Sequence, residues 1–259
     1  MNRTVAPFDR RLSTVTGAEA IGAYRLLRCS DEGPEPRPGQ FYMLAAAERW
    51  GGGQDERPYL PRAFSYLRRS GGELEFLLED VGPGTRRLSE LRPGDGLWLL
   101  GPLGSGFAAP RDGREPLLVG GGIGIVPLLP LHTSLSPPAE VLLGFRDAGH
   151  AAAAALFDGA TVCTDDGSEG QHGLVTELLD EHLDDHVEVY ACGPPAMLEA
   201  VRLMTGERDV PAQLALESGM ACGFGACFGC VVPTREGYVR VCVDGPVLEA
   251  RDLEAVPAH

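Results

Sequence analysis

The first part of the chain combines short apolar stretches with alternating polar positions and frequent turn residues. Strands of this length between glycine- and proline-rich turns are typical of an antiparallel barrel or sandwich. We therefore predict a β half that contains one short helix, at residues 85–91, and a polar, glycine-rich loop at residues 50–58. The predicted strands are residues 23–29, 40–46, 62–67, 74–78 and 97–100.

Near residue 110 the pattern changes to fully apolar strands that alternate with helix-like segments. Residues 116–119 form the first such strand, a glycine-rich turn follows at 120–124, and a helix is predicted to start at 125–131. Strands that alternate with helices predict a parallel sheet with nucleotide-binding topology. The remaining predicted strands are 140–145, 160–164 and 187–191, and the remaining helices are 175–183 and 196–204.

The last part of the chain is rich in cysteine. Its spacing is Cys222-x4-Cys227-x2-Cys230-x11-Cys242, the plant-type ligand order of a [2Fe–2S] cluster. Glycines at 223, 225 and 229 fit a loop that wraps closely around a cluster, because glycine tolerates positive φ. Residues 239–243 alternate like a strand, so we expect the first three ligands on a loop and the fourth on a strand of a hairpin. The polar residues 249–259 are expected to fray.

Two other uses of these cysteines compete with a cluster. A zinc site is disfavoured because structural zinc sites favour two C-x2-C pairs, and only Cys227 and Cys230 have that spacing. Disulfides are disfavoured because residues 1–20 show no export signal and the cysteine count is odd, which indicates a reducing cytoplasm. Cys29, Cys163 and Cys192 are then predicted to be buried free thiols.

Composition limits the domain count and the partners. The chain has 259 residues, of which 44% are hydrophobic and 23% charged, so it is globular and long enough for about two domains. Its formal net charge of -15 repels nucleic acid and anionic membranes, and we exclude both as main partners. The most apolar run, residues 116–131, is too short to span a membrane and contains the glycine-rich turn. By pattern we divide the chain at residues 1–110, 111–211 and 212–259.

Two motifs follow predicted strands, where open α/β sheets bind ligands. The turn at residues 120–124 could bring backbone N–H groups and a helix N-terminus to a phosphate, although it lacks the G-x-G-x-x-G pattern. A tight turn that packs a helix on a strand is the alternative. Cys192-Gly193-Pro194 is the second motif. The thiol of Cys192 could border a nicotinamide or be a small buried side chain.

Two further motifs lie in the β half. In Arg62-Ala63-Phe64-Ser65 the arginine can neutralise a diphosphate, and the serine hydroxyl can reach a ring nitrogen. A surface arginine beside a strand is the alternative for Arg62. Residues 82–85, with Gly84 and Thr85, precede the short helix and offer further phosphate-directed N–H groups.

The order of these motifs resembles a known family. Arg62-Ala63-Phe64-Ser65 resembles the flavin-binding R-x-[YF]-S signature of the ferredoxin–NADP reductase superfamily, and residues 120–127 and 192–194 resemble its nicotinamide-domain motifs. Residues 216–230 and 240–247 closely resemble the electron-transfer subunit of type 1B dihydroorotate dehydrogenase, the PyrK family. Residues 38–44 and 164–168 also look like that family, so the resemblance covers nearly the whole chain.

The resemblance implies an α+β multi-domain fold. It consists of an antiparallel β-barrel that binds FAD, a parallel α/β domain that binds NAD, and a small C-terminal [2Fe–2S] module. Phe64 departs from the tyrosine common in the superfamily, and Ser218-Gly219 stands where a charged pair is common. Carried over by position, the FAD residues are Arg62, Ala63, Phe64, Ser65, Leu77, Leu78, Glu79, Gly84 and Thr85, the NAD residues are Gly121, Gly122, Gly124, Cys192, Gly193 and Pro194, and the cluster ligands are Cys222, Cys227, Cys230 and Cys242.

The resemblance also implies a cytoplasmic electron adapter for pyrimidine biosynthesis. Electrons from dihydroorotate would arrive from an FMN-containing catalytic subunit, cross the cluster and FAD, and reduce NAD⁺ within a heterotetramer. A chain of this length has no room for a further (β/α)8 barrel of roughly 250 residues, so dihydroorotate oxidation needs the partner.

Three questions stay open on the residues alone. A reductase subunit of the same architecture could serve a hydrogenase, a sulfite reductase or a ferredoxin. A zinc-stabilised module without enzymatic activity is a further alternative. Arg146-Asp147 leaves NAD against NADP undecided, because arginine favours a 2′-phosphate and a carboxylate favours a free ribose hydroxyl.

Overall fold

The computed structural model describes residues 10–51 and 59–257. Most of the loop predicted at residues 50–58 lies outside these described residues. Within the described residues the strands form two seven-stranded sheets and one two-stranded hairpin. This arrangement confirms the predicted fold class, an antiparallel half-barrel followed by a parallel α/β sheet and a small cysteine-containing module.

The half-barrel is antiparallel throughout. Its strands are β1 (Arg11–Ile21), β2 (Tyr24–Ser30), β3 (Phe41–Ala46), β4 (Arg62–Ser65), β5 (Arg68–Ser70), β6 (Glu73–Leu78) and β7 (Gly96–Leu103), and helix α1 (Pro83–Ser89) follows β6. The strand order is β4-β3-β7-β1-β2-β6-β5. Tyr42, Leu44, Phe76 and Leu99 fill its core, and Leu88 of α1 packs among them.

The central strand β1 was not predicted from the sequence. It pairs with both β2 and β7. Of its side chains, however, only Ser13 and Val15 are buried, and only Val15 is apolar. Ser13 is also buried, and its hydroxyl donates to the carbonyl of Ser30. A buried serine satisfied by a backbone acceptor leaves no hydrophobic signal in the sequence.

The strands of the second sheet are β8 (Glu115–Gly121), β9 (Glu140–Phe145), β10 (Thr161–Thr164), β11 (Gln171–His172), β12 (Val187–Cys192), β13 (Ala212–Ala215) and β16 (Val247–Glu249), and the α-helices are α2 (Leu128–Ser134), α3 (Ala148–Ala151), α4 (Val175–His182) and α5 (Pro195–Glu207). The strand order is β11-β10-β9-β8-β12-β13-β16. Strands β8 to β13 run parallel to one another, and β16 is antiparallel to β13.

The segment after β8 differs from the prediction. The strand continues to Gly121, a 3-10 turn occupies Gly122–Ile125, and α2 begins only at Leu128. Pro127 takes the N-cap position of that helix. The apolar run predicted a helix from residue 125, but apolar character alone does not locate a helix start.

The C-terminal tail is ordered within the described residues, so the predicted fraying is wrong there. The strand β16 pairs with β13, and a 3-10 turn follows at Ala250–Asp252. Leu253 is fully buried and bridges to Thr234. The strands β13 and β16 therefore join the segment that carries the cysteines to the parallel sheet.

The cysteine-rich segment contains a hairpin of β14 (Val231–Thr234) and β15 (Gly237–Arg240). Cys242 lies in the turn after β15, and its predicted place on a strand is wrong. The N–H groups of Val243 and Asp244 both donate to the carbonyl of Arg240, at 3.0 and 2.8 Å. This turn ends the strand two residues before the fourth cysteine.

Candidate functional site

A cavity of about 290 Å³ lies where the half-barrel meets the parallel sheet. All four residues of the motif Arg62-Ala63-Phe64-Ser65 line it, because β4 is the edge strand that pairs with β3. Leu77, Glu79 and Thr85 line the same cavity, whereas Leu78 is fully buried in the barrel core. The opposite wall comprises Ile123, Val126, Pro127, Leu216, Glu217, Ser218, Met220 and Pro246.

The guanidinium of Arg62 is positioned by its neighbours in this cavity. Its Nη1 donates to the carbonyl of Leu60 at 2.5 Å. A Cβ added at Gly84 would lie 2.5 Å from Nε of Arg62, so only glycine lets α1 approach the guanidinium this closely. The hydroxyl of Thr85 accepts from the N–H groups of Val81 and Gly82 at 2.9 and 3.0 Å. Thr85 therefore caps the helix with its side chain.

A second cavity, of about 500 Å³, opens at the carboxyl ends of β8 and β12. Gly121, Gly122, Gly124, Gly193 and Pro194 all line it. A Cβ at Gly124 would lie 2.6 Å from the carbonyl of Cys192 and from Cα of Gly193. The two predicted glycine motifs thus touch each other. The same loops pack closely together and line the second cavity.

Cys192 itself does not line either cavity. Its side chain is 3% exposed within the apolar cluster that contains Tyr190 and Leu143. Burial raises the pKa of the Cys192 thiol well above its ordinary value, and the nearby carboxylate of Glu217 raises it further. The thiol is therefore neutral, and only Gly193 and Pro194 of this motif line the second cavity.

Two carboxylates, Glu79 and Glu217, line both cavities. The carboxylate of Glu79 accepts a 2.6 Å hydrogen bond from Nη2 of Arg146, and Nε2 of His150 lies 3.4 Å away. His150 donates through its backbone N–H to Asp147 at 3.0 Å, and its ring nitrogen lies 2.7 Å from the same oxygen. These contacts with His150 lower the pKa of Asp147.

Sequence reasoning missed most of this junction. The sequence predicts a role for Arg146 and Asp147 only in the choice of nucleotide, and it predicts none for Glu217 or His150. The turn between β1 and β2 also contacts α3, where the N–H of Ala23 donates to the carbonyl of Gly149 at 2.9 Å. Residues that meet across two sheets share no local sequence pattern. The signal that could have located this junction is the charged pair Arg146-Asp147, which directly follows β9.

Two glycines of the cysteine loop are closely packed, and one of them, Gly223, lies against the half-barrel. Gly223 has φ +77, and a Cβ there would lie 2.4 Å from Cγ of Met43. Gly225 has φ +87, and a Cβ there would lie 2.7 Å from a methyl group of Val243. Both positions therefore need glycine, as predicted. Gly229 is not in the left-handed region, and Phe228 at φ +58 takes that conformation.

The four thiols associate as two pairs. The side chain of Cys227 lies close enough to Cys222 to shift its pKa, and that of Cys230 does the same for Cys242, on which Cys222 acts more weakly. Sulfur also accepts from the backbone, since Cys227 accepts from the N–H of Gly229 at 3.5 Å and Cys230 from the N–H of Cys242 at 3.4 Å. Two pairs fit a [2Fe–2S] cluster, in which each of two irons takes two protein ligands. Among the residues that the structure describes, no three His, Cys, Asp or Glu side chains converge on a single metal ion.

The two pairs differ in electrostatic environment. Burial raises the pKa of Cys222, but hydrogen bonds from Cys227, Phe224 and neighbouring backbone outweigh it and lower the pKa to about 7. Burial, followed by the adjacent Cys230, raises the pKa of Cys242 to about 12. Cys227 is exposed, whereas Cys230 and Cys242 are buried. The first pair thus faces solvent and the second faces the protein interior.

The remaining cysteines confirm a simpler prediction. Cys29, Cys163 and Cys192 are buried and free. Burial raises the pKa of Cys29 and Cys163 to about 11, so both stay neutral. No helix in the described part of the chain is long and apolar enough to cross a membrane.

Solved structures of the ferredoxin reductase type share the half-barrel and the parallel sheet of this chain. The NADH-dependent reduced ferredoxin-NADP oxidoreductase has a similar structure, with a TM-score of 0.79 and 24% identity over 96% of this chain and 92% of that one. The ferredoxin NADP⁺ reductase of Neisseria gonorrhoeae gives a TM-score of 0.62 and 18% identity over 77% and 91% of the two chains. At sequence identities this low, the similarity shows a shared fold and nothing about function.

Sequence comparison is more specific. Residues 217–254 match the iron-sulfur cluster binding domain of dihydroorotate dehydrogenase B. The electron transfer subunit of dihydroorotate dehydrogenase B (NAD(+)) from Caldanaerobacter subterraneus subsp. tengcongensis is 36% identical over 230 residues, which are 86% of this chain and 89% of the relative. The subunit of the same name from Geobacillus thermodenitrificans is 39% identical over 83% and 86% of the two chains. The chain belongs to this family of electron transfer subunits.

Proposed function

We propose that this chain carries electrons between a [2Fe–2S] cluster and NAD⁺ through FAD, as the electron transfer subunit of an NAD-linked dihydroorotate dehydrogenase. One observation supports this order above all: the two cavities share lining residues, and the first cavity adjoins the cysteine loop. Met220 lines the first cavity and lies two residues before Cys222. Glu79, Ile123 and Glu217 line both cavities. A flavin in the first cavity would therefore lie between the cluster loop and a nicotinamide in the second.

Arg62 and Ser65 are the main polar groups that we assign to FAD. Arg62 carries the positive charge for a diphosphate, and Gly84 leaves room for its guanidinium. Ser65 presents its hydroxyl to the flavin ring. Ala63, Phe64, Leu77, Glu79 and Thr85 would complete the walls. Bound FAD supplies the conversion between one-electron transfer and a two-electron hydride step.

The second cavity is our proposed NAD site. Gly121, Gly122 and Gly124 offer backbone close to a phosphate, and Gly193 and Pro194 form the facing edge. Cys192 is buried beneath this edge and lines neither cavity, so we no longer assign it a contact with NAD. Arg146, at the rim, provides a cation for the anionic nucleotide.

Cys222, Cys227, Cys230 and Cys242 would hold the cluster. Around them the surface is aromatic: Phe228 is 64% exposed and Tyr238 is 80% exposed. The face of the hairpin that carries Tyr238 and Arg240 continues onto Phe228, since the guanidinium of Arg240 lies 5.4 Å from that ring. Exposed aromatic and arginine side chains are typical of the energetic centre of an interface. We assign this aromatic face to the FMN-containing catalytic subunit, which oxidises dihydroorotate within a heterotetramer.

The division into an FAD domain (residues 1–110), an NAD domain (111–211) and a cluster module (212–259) remains part of the proposal. We place the chain in the cytoplasm, since Cys29, Cys163 and Cys192 are free thiols and the other four cysteines are the proposed cluster ligands.

Anaerobic reduction by NADH, followed by visible absorbance, tests the assignment. The purified protein is expected to show flavin bands with a broad iron-sulfur shoulder, and NADH is expected to bleach both. With the FMN subunit added, dihydroorotate should reduce NAD⁺. A colourless, zinc-containing protein would contradict electron transfer. Purification without an FMN protein that forms orotate would contradict the partner and favour another reductase complex.

A further inference from the structure

The side chain of Arg240 touches both halves of the cysteine loop. Its Nη1 donates to the carbonyl of Gly225 at 3.1 Å, between Cys222 and Cys227. Its guanidinium also lies over the ring of Phe228, between Cys227 and Cys230. Arg240 itself lies two residues before Cys242. The side chain therefore meets each segment that connects the four cysteines.

The loop is shaped to receive this cation. At Gly225 an added Cβ would lie 3.1 Å from Nη1 of Arg240, and φ there is +87. Phe228 takes φ +58, a conformation that non-glycine residues rarely adopt and that keeps its ring under the guanidinium. The Arg240 side chain is 31% exposed, so solvent only partly screens its charge.

Asp244 is the counter-charge of Arg240. Its Oδ2 accepts from the backbone N–H of Arg240 at 3.0 Å and lies 3.8 Å from Nε. Both residues are held on the turn that carries Cys242, since the N–H of Asp244 also donates to the carbonyl of Arg240. The loop thus has one fixed positive and one fixed negative charge beside the proposed ligands.

We propose that Arg240 is a positioning residue that raises the reduction potential of the cluster, with Asp244 opposing it. One-electron reduction adds one negative charge to the cluster. A guanidinium stays protonated at every working pH, so it stabilises the reduced form without taking up a proton. The inference rests on the proposed function, because it requires a cluster at these four thiols. It adds that Arg240 helps to set how readily the cluster accepts electrons from the partner subunit.

The experiment is a redox titration of the cluster followed by electron paramagnetic resonance in the full chain. At an effective dielectric constant of about 20, a unit charge about 10 Å away shifts a one-electron equilibrium roughly tenfold. Arg240→Gln is therefore expected to disfavour reduction about tenfold, which corresponds to about 59 mV for one electron. Arg240→Lys should stay within about threefold of the wild type, because it keeps the charge.

Two further variants control for structural effects. Arg235→Gln removes the same charge from the exposed turn between β14 and β15 and should leave the potential unchanged. Asp244→Asn keeps an oxygen acceptor for the N–H of Arg240 and should shift the potential upward. Opposite signs for Arg240→Gln and Asp244→Asn cannot come from a general loosening of the loop.

The inference is overturned if Arg240→Gln matches Arg235→Gln, or if Arg240→Gln and Asp244→Asn shift the potential in the same direction. Should Arg240→Gln lose its cluster, as judged by iron and sulfide content, Asp244→Asn decides alone: an upward shift supports the inference and an unchanged potential overturns it. A wild-type protein without any cluster would instead refute the proposed function.

Discussion

The carboxylate of Glu79, at the end of the half-barrel strand β6, accepts a 2.6 Å hydrogen bond from Arg146, which follows strand β9 of the parallel sheet. This ion pair joins the two sheets at the point where both cavities meet. Arg146 is 60% exposed, so the pair contributes at most about 1 kcal/mol to folding. Its greater consequence is the position of a cation at the rim of the second cavity.

Arg146→Ala is expected to raise KM for NADH about tenfold and to leave kcat within about twofold. A charge-assisted contact to the nucleotide amounts to about 1.4 kcal/mol, which is a tenfold change in affinity. Steady-state reduction of ferricyanide by NADH measures both constants. Glu79→Gln, which keeps the cation and an acceptor, should change KM less than threefold. An unchanged KM in Arg146→Ala would exclude the cation from nucleotide binding.

Gly84→Ala is expected to weaken FAD binding at least tenfold. The new Cβ would lie 2.5 Å from Nε of Arg62 and must displace the guanidinium from the first cavity. Flavin content and fluorescence titration with FAD report the loss, and Arg62→Ala should reproduce it. Gly82→Ala is the matched control, since a Cβ there meets nothing within 4 Å. Equal flavin binding in the two glycine variants would contradict the role of Arg62.

Gly124→Ala is expected to destabilise the parallel sheet by roughly 1–3 kcal/mol, because overpacking forces the backbone apart. The added Cβ would lie 2.6 Å from the backbone of Cys192 and Gly193. Denaturant unfolding measures the change, and NADH binding should fall with it. In contrast, Gly206→Ala on α5 meets no atom within 4 Å and should stabilise the helix by about 0.5–1 kcal/mol. An unchanged free energy of unfolding in Gly124→Ala would show that the glycine turn at residues 120–124 does not contact the loop at residues 192–194.

Cys222 should be the pH-sensitive thiol of the cluster-free protein. Its pKa is lowered to about 7, so its thiolate forms as pH rises through 7 and persists above. Alkylation by iodoacetamide, followed by peptide mass spectrometry, should show a rate at Cys222 that increases across this range and then levels. Cys29, with its pKa raised to about 11 by burial, is the unreactive control. A midpoint near the ordinary 9.0 would contradict the hydrogen bonds assigned to Cys222.

Tyr238→Ala is expected to weaken binding of the FMN subunit about tenfold, because exposed aromatic anchors contribute about 1–2 kcal/mol each to protein interfaces. Phe228→Ala should act in the same direction. Calorimetry with the purified partner measures the affinity. Leu203→Ala, at a 48% exposed leucine on α5, is the control and should bind normally. Normal binding by both aromatic variants would place the partner on another surface.

Local pattern was enough for much of the fold. The strands β2, β3, β6 and β7 alternate or are apolar throughout, and their positions were predicted within a few residues. Strand β1 escaped because Ser13 is buried through a hydrogen bond to Ser30, which polarity alone does not reveal. Cys242 was placed on a strand because its neighbours are valines, whereas the turn depends on hydrogen bonds to the carbonyl of Arg240.

The sequence by itself determined which chemistry to expect: the cysteine spacing predicts a cluster, and the motif Arg62-Ala63-Phe64-Ser65 and the glycine turn predict groups that bind a flavin nucleotide and a phosphate. Only the tertiary structure decided how these parts meet. Glu79 and Arg146 are 67 residues apart in the chain, and the pairing of thiols depends on how the loop closes onto the turn that carries Cys242. Contacts at such separation depend on packing between sheets, which no short stretch of sequence encodes.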